Sequence, residues 1–143
     1  MLTRKSNWQS ALAEYLTASA GVRFAYGVFD CGLFVAGAVT AMTGVDVVPG
    51  VRGSYGDRRA ALGQVCAICG AKTMERLAEY LTAKYGMPEV NPRLAQRGDA
   101  VLLRHGRTSS LGLVAMHGTE ILTPYRGGLL RLPLEHATRA WHI

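Results

Sequence analysis

The chain has 143 residues, a formal charge of +6 and three cysteines, and 49% of its residues are apolar. This length favours a single domain over residues 1–143, with one sizeable core. The longest apolar run, Leu33 to Val39, is too short to span a bilayer, so no membrane span is expected. Basic residues are scattered and are not interleaved with aromatic residues, so no nucleic-acid partner is expected. The N-terminal sequence has no apolar signal core, which favours reduced cysteines.

The first predicted elements are helices. Ser6 and Gln9 have the spacing of a capping box, and the apolar residues behind them predict a helix from about Asn7 to Ala18. Asp30 is a candidate N-cap for a second helix, from Cys31 to about Met42. That helix is apolar almost all round, so we expect it to be the buried central helix.

Two further helices and then a run of strands are predicted in the rest of the chain. After a glycine- and proline-containing loop from Val47 to Gly56, Asp57 begins a helix through Ile68, and Thr73 caps another that Gly86 ends. The predicted strands are Asp99–Leu103, Leu111–Met116, Glu120–Thr123 and Leu129–Leu132, followed by a helical turn within Pro133–Thr138 and by Trp141–Ile143 at the sheet edge. Helices before strands indicate an α+β fold with a small antiparallel sheet.

Cys31 is the candidate nucleophile. At the first turn of a helix, unpaired amides and the helix dipole favour a thiolate over a thiol. Gly32 leaves room for a substrate, and the amide of Cys31 is placed to donate to an oxyanion. The alternative interpretation is a small apolar residue packed at a helix start, because free cysteine is among the most buried residue types.

Four sequence elements occur in the order found in one family of hydrolases. They are Phe24/Tyr26-Gly27, Asp30-Cys31-Gly32-Leu33, Gly98-Asp99-Ala100-Val101 and Leu111-Gly112-Leu113-Val114. Over about Phe24 to Met116 the chain resembles the NlpC-type, papain-like cysteine peptidases that cleave peptidoglycan. The resemblance implies a papain-like NlpC-type domain, with Cys31 as nucleophile at the start of the central helix and Asp30 as its cap.

A wider resemblance covers nearly the whole chain. It includes Trp8, Thr43-Gly44-Val45-Asp46, Gln96-Arg97-Gly98-Asp99, Leu132-Pro133-Leu134 and Ala140-Trp141-His142-Ile143. In these features the chain is similar to small proteins encoded in the tail modules of tailed bacteriophages. The resemblance implies a component made in the host cytoplasm and located in the virion tail, where other tail-tip or baseplate proteins are its partners.

The chain departs from the NlpC pattern at the position of the catalytic base. Ser110 stands where the family has a histidine, and a serine hydroxyl cannot take a proton from a thiol at neutral pH as imidazole does. His105, in the predicted loop before the strand, is a candidate substitute base. The family tyrosine aligns with Phe24, and the third polar position falls near Thr123.

These departures favour a tail-tip structural or assembly protein with weak or lost hydrolase activity. Two alternatives stay open: an active peptidoglycan-cleaving amidase or endopeptidase that aids genome entry, and a binding module that grips a peptide or cell-wall fragment in the old cleft. Cys66 and Cys69 have the spacing of a zinc or redox pair. No second pair accompanies them, so a helix end with small apolar residues is favoured, and no metal or other cofactor is expected.

Overall fold

The computed structural model describes residues 2–143, which form four α-helices, six β-strands and two short 3-10 turns. The helices are α1 (Trp8–Ser19), α2 (Cys31–Thr43), α3 (Arg58–Cys69) and α4 (Met74–Tyr85). The strands are β1 (Glu89–Val90), β2 (Ala100–His105), β3 (Thr108–Val114), β4 (Glu120–Tyr125), β5 (Gly128–Pro133) and β6 (Ala137–Trp141), and the turns are Pro92–Leu94 and Leu134–His136. The predicted α+β order is confirmed.

Side-chain caps begin three of the four helices. The bonds run from Leu33 N to Asp30 Oδ1 (2.9 Å), from Ala60 N to Asp57 Oδ1 (2.8 Å) and from Arg76 N to Thr73 Oγ1 (3.2 Å). Each cap satisfies an amide that has no partner within its helix. The predicted starts of α2, α3 and α4 are therefore confirmed.

The predicted capping box at the start of α1 is wrong. The N-cap is Asn7, and its side chain makes no cap hydrogen bond. Instead the amide of Trp8 donates to the carbonyl of Lys5 at 3.1 Å. A backbone turn over residues 5–8 thus leads into α1, and it takes Ser6 out of the cap position.

The strands form one antiparallel sheet in the order β1-β6-β2-β3-β4-β5. The expectation that Trp141 lies at the sheet edge is wrong, because it pairs with Ala100 on one side and with Glu89 on the other. Only 2% of Trp141 is exposed. The two-residue strand β1 takes the edge instead and shields the apolar strand β6.

The two faces of the sheet carry separate apolar clusters. The larger cluster contains residues of α1 and α2 with Leu111 and Leu113 of β3, whereas the smaller one contains Leu103 and Val114 on the opposite face. Successive residues of a strand point to opposite faces, so this division fixes the direction of every side chain in β3. Within residues 2–143, no helix is long and apolar enough to cross a membrane.

Candidate active-site cleft at Cys31

Cys31 opens α2 at one wall of a cavity of about 310 Å³. The cavity lies among α2, α3, α4 and the first half of β3. Cys31 is partly buried in this wall. The structure therefore brings the candidate nucleophile to the wall of an open cleft that is large enough for a ligand.

The surroundings of Cys31 favour the neutral thiol. Burial raises its pKa to about 11, and the negative charge of Asp30 acts in the same direction. The backbone amides of Leu111, Gly32 and Cys31 itself lower the pKa, but burial outweighs them. At neutral pH the thiol is therefore predominantly protonated. The expectation that the helix start would yield a thiolate is therefore wrong.

Asp30 does more than cap α2. Its Oδ2 atom accepts a bond from the amide of Gly27 at 3.1 Å and another from the hydroxyl of Tyr55. With the cap bond from Leu33, the carboxylate has three donors although only 6% of the residue is exposed. Asp30 therefore holds together the start of α2, the preceding turn and the loop that carries Tyr55.

That loop closes tightly over the turn at Gly27. The amide of Gly53 donates to the Gly27 carbonyl at 2.7 Å, and Arg52 Nη1 donates to the Val28 carbonyl at 2.9 Å. Gly27 has a φ of 78°, and a Cβ atom there would clash with the carbonyl oxygen of Tyr55. Glycine is required at this position for both its backbone conformation and its missing side chain.

Ser110, where the resemblance to NlpC-type peptidases implies a histidine, faces away from α2. Its partner across the β2–β3 ladder is Leu103, which belongs to the smaller cluster on the far face of the sheet. A Cβ added at Gly112, two residues on, would lie 2.7 Å from Ile121 Cγ2, an atom of the same far-face cluster. Ser109 instead shares its face with Leu111, which packs in the cluster of α2. Both serines border the cavity, but their side chains point to opposite faces.

The prediction that His105 lies in a loop is wrong, because it is the last residue of β2 and pairs with Thr108. It lies on the far face of the sheet with Ser110. Its Nε2 atom is 3.1 Å from Ser110 Oγ, the diagonal neighbour across the hairpin. The ring nitrogens of His117 and His142 bind Thr119 and Asp99. In the described residues, 2–143, no histidine makes a hydrogen bond with Cys31. The structure thus brings His105 and Ser110 together but leaves both out of contact with the thiol.

The other positions implied by the NlpC pattern surround the cleft without supplying a base. Phe24 and Tyr26 line the cavity, with ring centroids 4.8 Å apart in an edge-to-face arrangement. Thr123 is buried and donates from its hydroxyl to the Leu111 carbonyl at 2.9 Å. It thereby ties β4 to β3 at Leu111, a residue that borders the cavity.

Cys66 and Cys69 lie at the end of α3, and both are free thiols. The Cys69 thiol donates to the Ala71 carbonyl at 3.3 Å. No group of three or more histidine, cysteine or carboxylate side chains within residues 2–143 is placed to hold a metal ion. The pair thus has neither of the further ligands that a structural zinc needs.

Comparison with known proteins gives a family. Residues 3–143 match a family described as a domain of unknown function, DUF6950. The chain belongs to the DUF6950 family. A search of curated proteins found no match. The family description assigns no activity, so the DUF6950 cleft must be interpreted from its own geometry.

The structure adds Tyr55 to the DUF6950 cleft and puts Ser109 in place of Ser110 on the face of α2. Tyr55 places a hydroxyl beside Asp30 and Cys31, and its pKa is raised by burial and by its hydrogen bond to Asp30. Ser109, not Ser110, lies on the β3 face that packs against α2. Tyr55 stands in a loop 24 residues after Cys31 (55 − 31), and no local pattern marks it as part of the site.

Proposed function

We propose that this protein is a structural or assembly component of a bacteriophage tail tip or baseplate, built on a papain-like NlpC-type domain that has lost its hydrolase chemistry. It is made in the host cytoplasm and resides in the virion tail beside other tail proteins. The tail assignment is supported by the sequence elements shared with phage tail-module proteins along nearly the whole chain. The domain assignment is supported by Cys31 at the start of a buried helix that packs on an antiparallel sheet.

The proposed loss of catalysis is supported by one observation: the thiol of Cys31 is neutral and has no base beside it. The pKa of Cys31 is raised to about 11, and no imidazole in the described part of the chain forms a hydrogen bond with it. General base assistance typically contributes ~10²–10⁴-fold to such reactions. A cleft with neither a thiolate nor a base cannot hydrolyse peptidoglycan efficiently, so a structural role suits the domain better.

The test distinguishes the need for the whole protein from the need for the Cys31 thiol. In a phage that encodes this protein, deletion of the gene is compared with Cys31→Ala, and purified virions are analysed by mass spectrometry and plaque assay. We expect mass spectrometry to detect the protein in purified tails. Deletion of the gene should abolish infectious particles, whereas Cys31→Ala should leave the titre within about twofold of the parent. Normal tails and titres without the protein would contradict the structural role.

An active peptidoglycan amidase is the second candidate, and one feature favours it. Cys31 is the first residue of α2, where backbone amides without a helical partner are the kind of donor from which an oxyanion-binding site is built. Release of fragments from purified peptidoglycan by the parent protein, abolished by Cys31→Ala, would establish this function in place of the first. We expect no release above the Cys31→Ala background.

A further inference from the structure

The cavity beside Cys31 has the size of a small-molecule pocket and is lined by several elements of the fold. Its volume of about 310 Å³ lies at the lower end of the range of small-molecule pockets, roughly 300–1,000 Å³. Side chains from three helices and the sheet line it, among them Ala36, Val65, Leu77 and Leu111. An open, apolar depression of this size is typical of a small-molecule binding site.

The wall of the cavity is predominantly apolar. Residues such as Val39, Leu62 and Ile68 present aliphatic side chains to it, and Met74 closes it near Gly32. A ligand for this space gains affinity by removing carbon surface from water, since about 0.8 kcal/mol is gained for each buried CH₂. The interior therefore fits an apolar chain and not a sugar or a charged peptide.

Two charged side chains border the cavity among residues 2–143, Asp30 and Arg58. The carboxylate of Asp30 already accepts bonds from Leu33, Gly27 and Tyr55, so it has no need of a cationic ligand. Arg58 is exposed at the start of α3, and no carboxylate in the described chain forms an ion pair with it. The unpaired cation favours a ligand whose polar end is anionic.

We propose that this cavity binds a single-chain fatty acid, with the aliphatic chain among the helices and the carboxylate at Arg58. Binding is non-covalent and leaves the thiol of Cys31 unchanged. The inference goes beyond the proposed tail role and does not rest on it, because the cavity and Arg58 are present whatever the protein assembles with.

The first test varies chain length and cavity space. Isothermal titration calorimetry with hexanoate, octanoate, decanoate and dodecanoate is expected to show an affinity rising about fourfold per added CH₂ until the cavity is full. Ala61→Phe places a ring at the cavity wall and is expected to weaken decanoate binding more than about tenfold. Ala60→Phe, on the same helix but outside the cavity wall, is the matched control and is expected to bind as the parent does.

The second test concerns the polar end and does not depend on Ala61→Phe being tolerated. Arg58→Gln is expected to weaken decanoate binding about two- to fivefold, the usual range for an exposed ion pair, and to leave decanol binding unchanged. Arg59→Gln is the control, because Arg59 does not border the cavity.

The proposal is overturned if none of the four acids binds, if affinity does not depend on chain length, or if Ala60→Phe weakens binding as much as Ala61→Phe. A concentration-dependent dimer that Ala61→Phe dissociates, without fatty-acid binding, would assign the cavity to a second copy and would also overturn it. The binding and dimerisation measurements do not depend on the infectivity assay. The proposed tail role and the proposed fatty-acid binding are therefore tested independently.

Discussion

Replacement of Asp30 by alanine is the most informative stability experiment that the structure offers. The carboxylate accepts three hydrogen bonds, at 2.9 Å from Leu33 N, at 3.1 Å from Gly27 N and from the Tyr55 hydroxyl. Asp30→Ala removes all three acceptor contacts at a position that is 6% exposed. The start of α2, the Gly27 turn and the Tyr55 loop should loosen together.

The expected loss in the free energy of unfolding is the sum of the effects of the three lost hydrogen bonds. Loss of an N-cap side chain costs about 1 kcal/mol in the free energy of unfolding. The Gly27 amide and the Tyr55 hydroxyl lose their acceptor as well, and each buried donor without a partner costs about 1–3 kcal/mol. Partial access of water to the exposed side of Tyr55 reduces the upper bound, so we expect a total of about 3–5 kcal/mol.

Asp57→Ala is the matched control. Asp57 caps α3 through one bond to the Ala60 amide, and it is exposed. We expect this substitution to cost about 1 kcal/mol, the effect of a cap alone. Urea unfolding followed by circular dichroism gives both values, provided that the slope with denaturant is unchanged.

The reasoning is refuted if the two substitutions lower the free energy of unfolding equally. A double-mutant cycle with Tyr55→Phe adds a second check, because Asp30 and Tyr55 are expected to couple by about 0.5–3 kcal/mol. Additive effects of Asp30→Ala and Tyr55→Phe would show that their hydrogen bond does not hold the loop.

The remaining predictions concern the thiol. In a Cys66→Ser/Cys69→Ser background, the rate of iodoacetamide alkylation of Cys31 should be half-maximal near pH 11, and a midpoint below pH 9 would contradict the buried thiol. Ser109→His adds an imidazole N–H donor on the face of α2 and should lower the alkylation midpoint of Cys31, whereas Ser110→His, on the far face, should leave it unchanged; equal shifts would contradict the assigned faces of β3. Because the folded pKa of Cys31 is raised from 9.0 to about 11, its neutral form contributes stability below pH 9 that is lost as the pH rises to about 11. A Cys31→Ala variant should lack that part of the alkaline loss in urea titrations, and an identical loss in both proteins would contradict it.

Local chemistry in the sequence was sufficient for the starts of α2, α3 and α4 and for the position of Cys31 at the start of α2. Asp30, Asp57 and Thr73 each stand three residues before the amide that they accept from, so the interaction is contained within one turn. The apolar run behind Cys31 likewise predicts a buried helix, because no face of it is suited to water. These features depend on neighbours in the sequence, and the structure confirms them.

The contacts that define the cleft were decided only by the tertiary structure. Whether Ser109 or Ser110 faces α2 depends on the register of β3 against β2, and a shift of one residue would exchange the two faces. Tyr55 reaches Asp30 across a loop, and burial outweighs the helix-start amides in setting the pKa of Cys31. Pairing register, loop closure and burial are properties of the packed chain, so no local pattern of residues determines them.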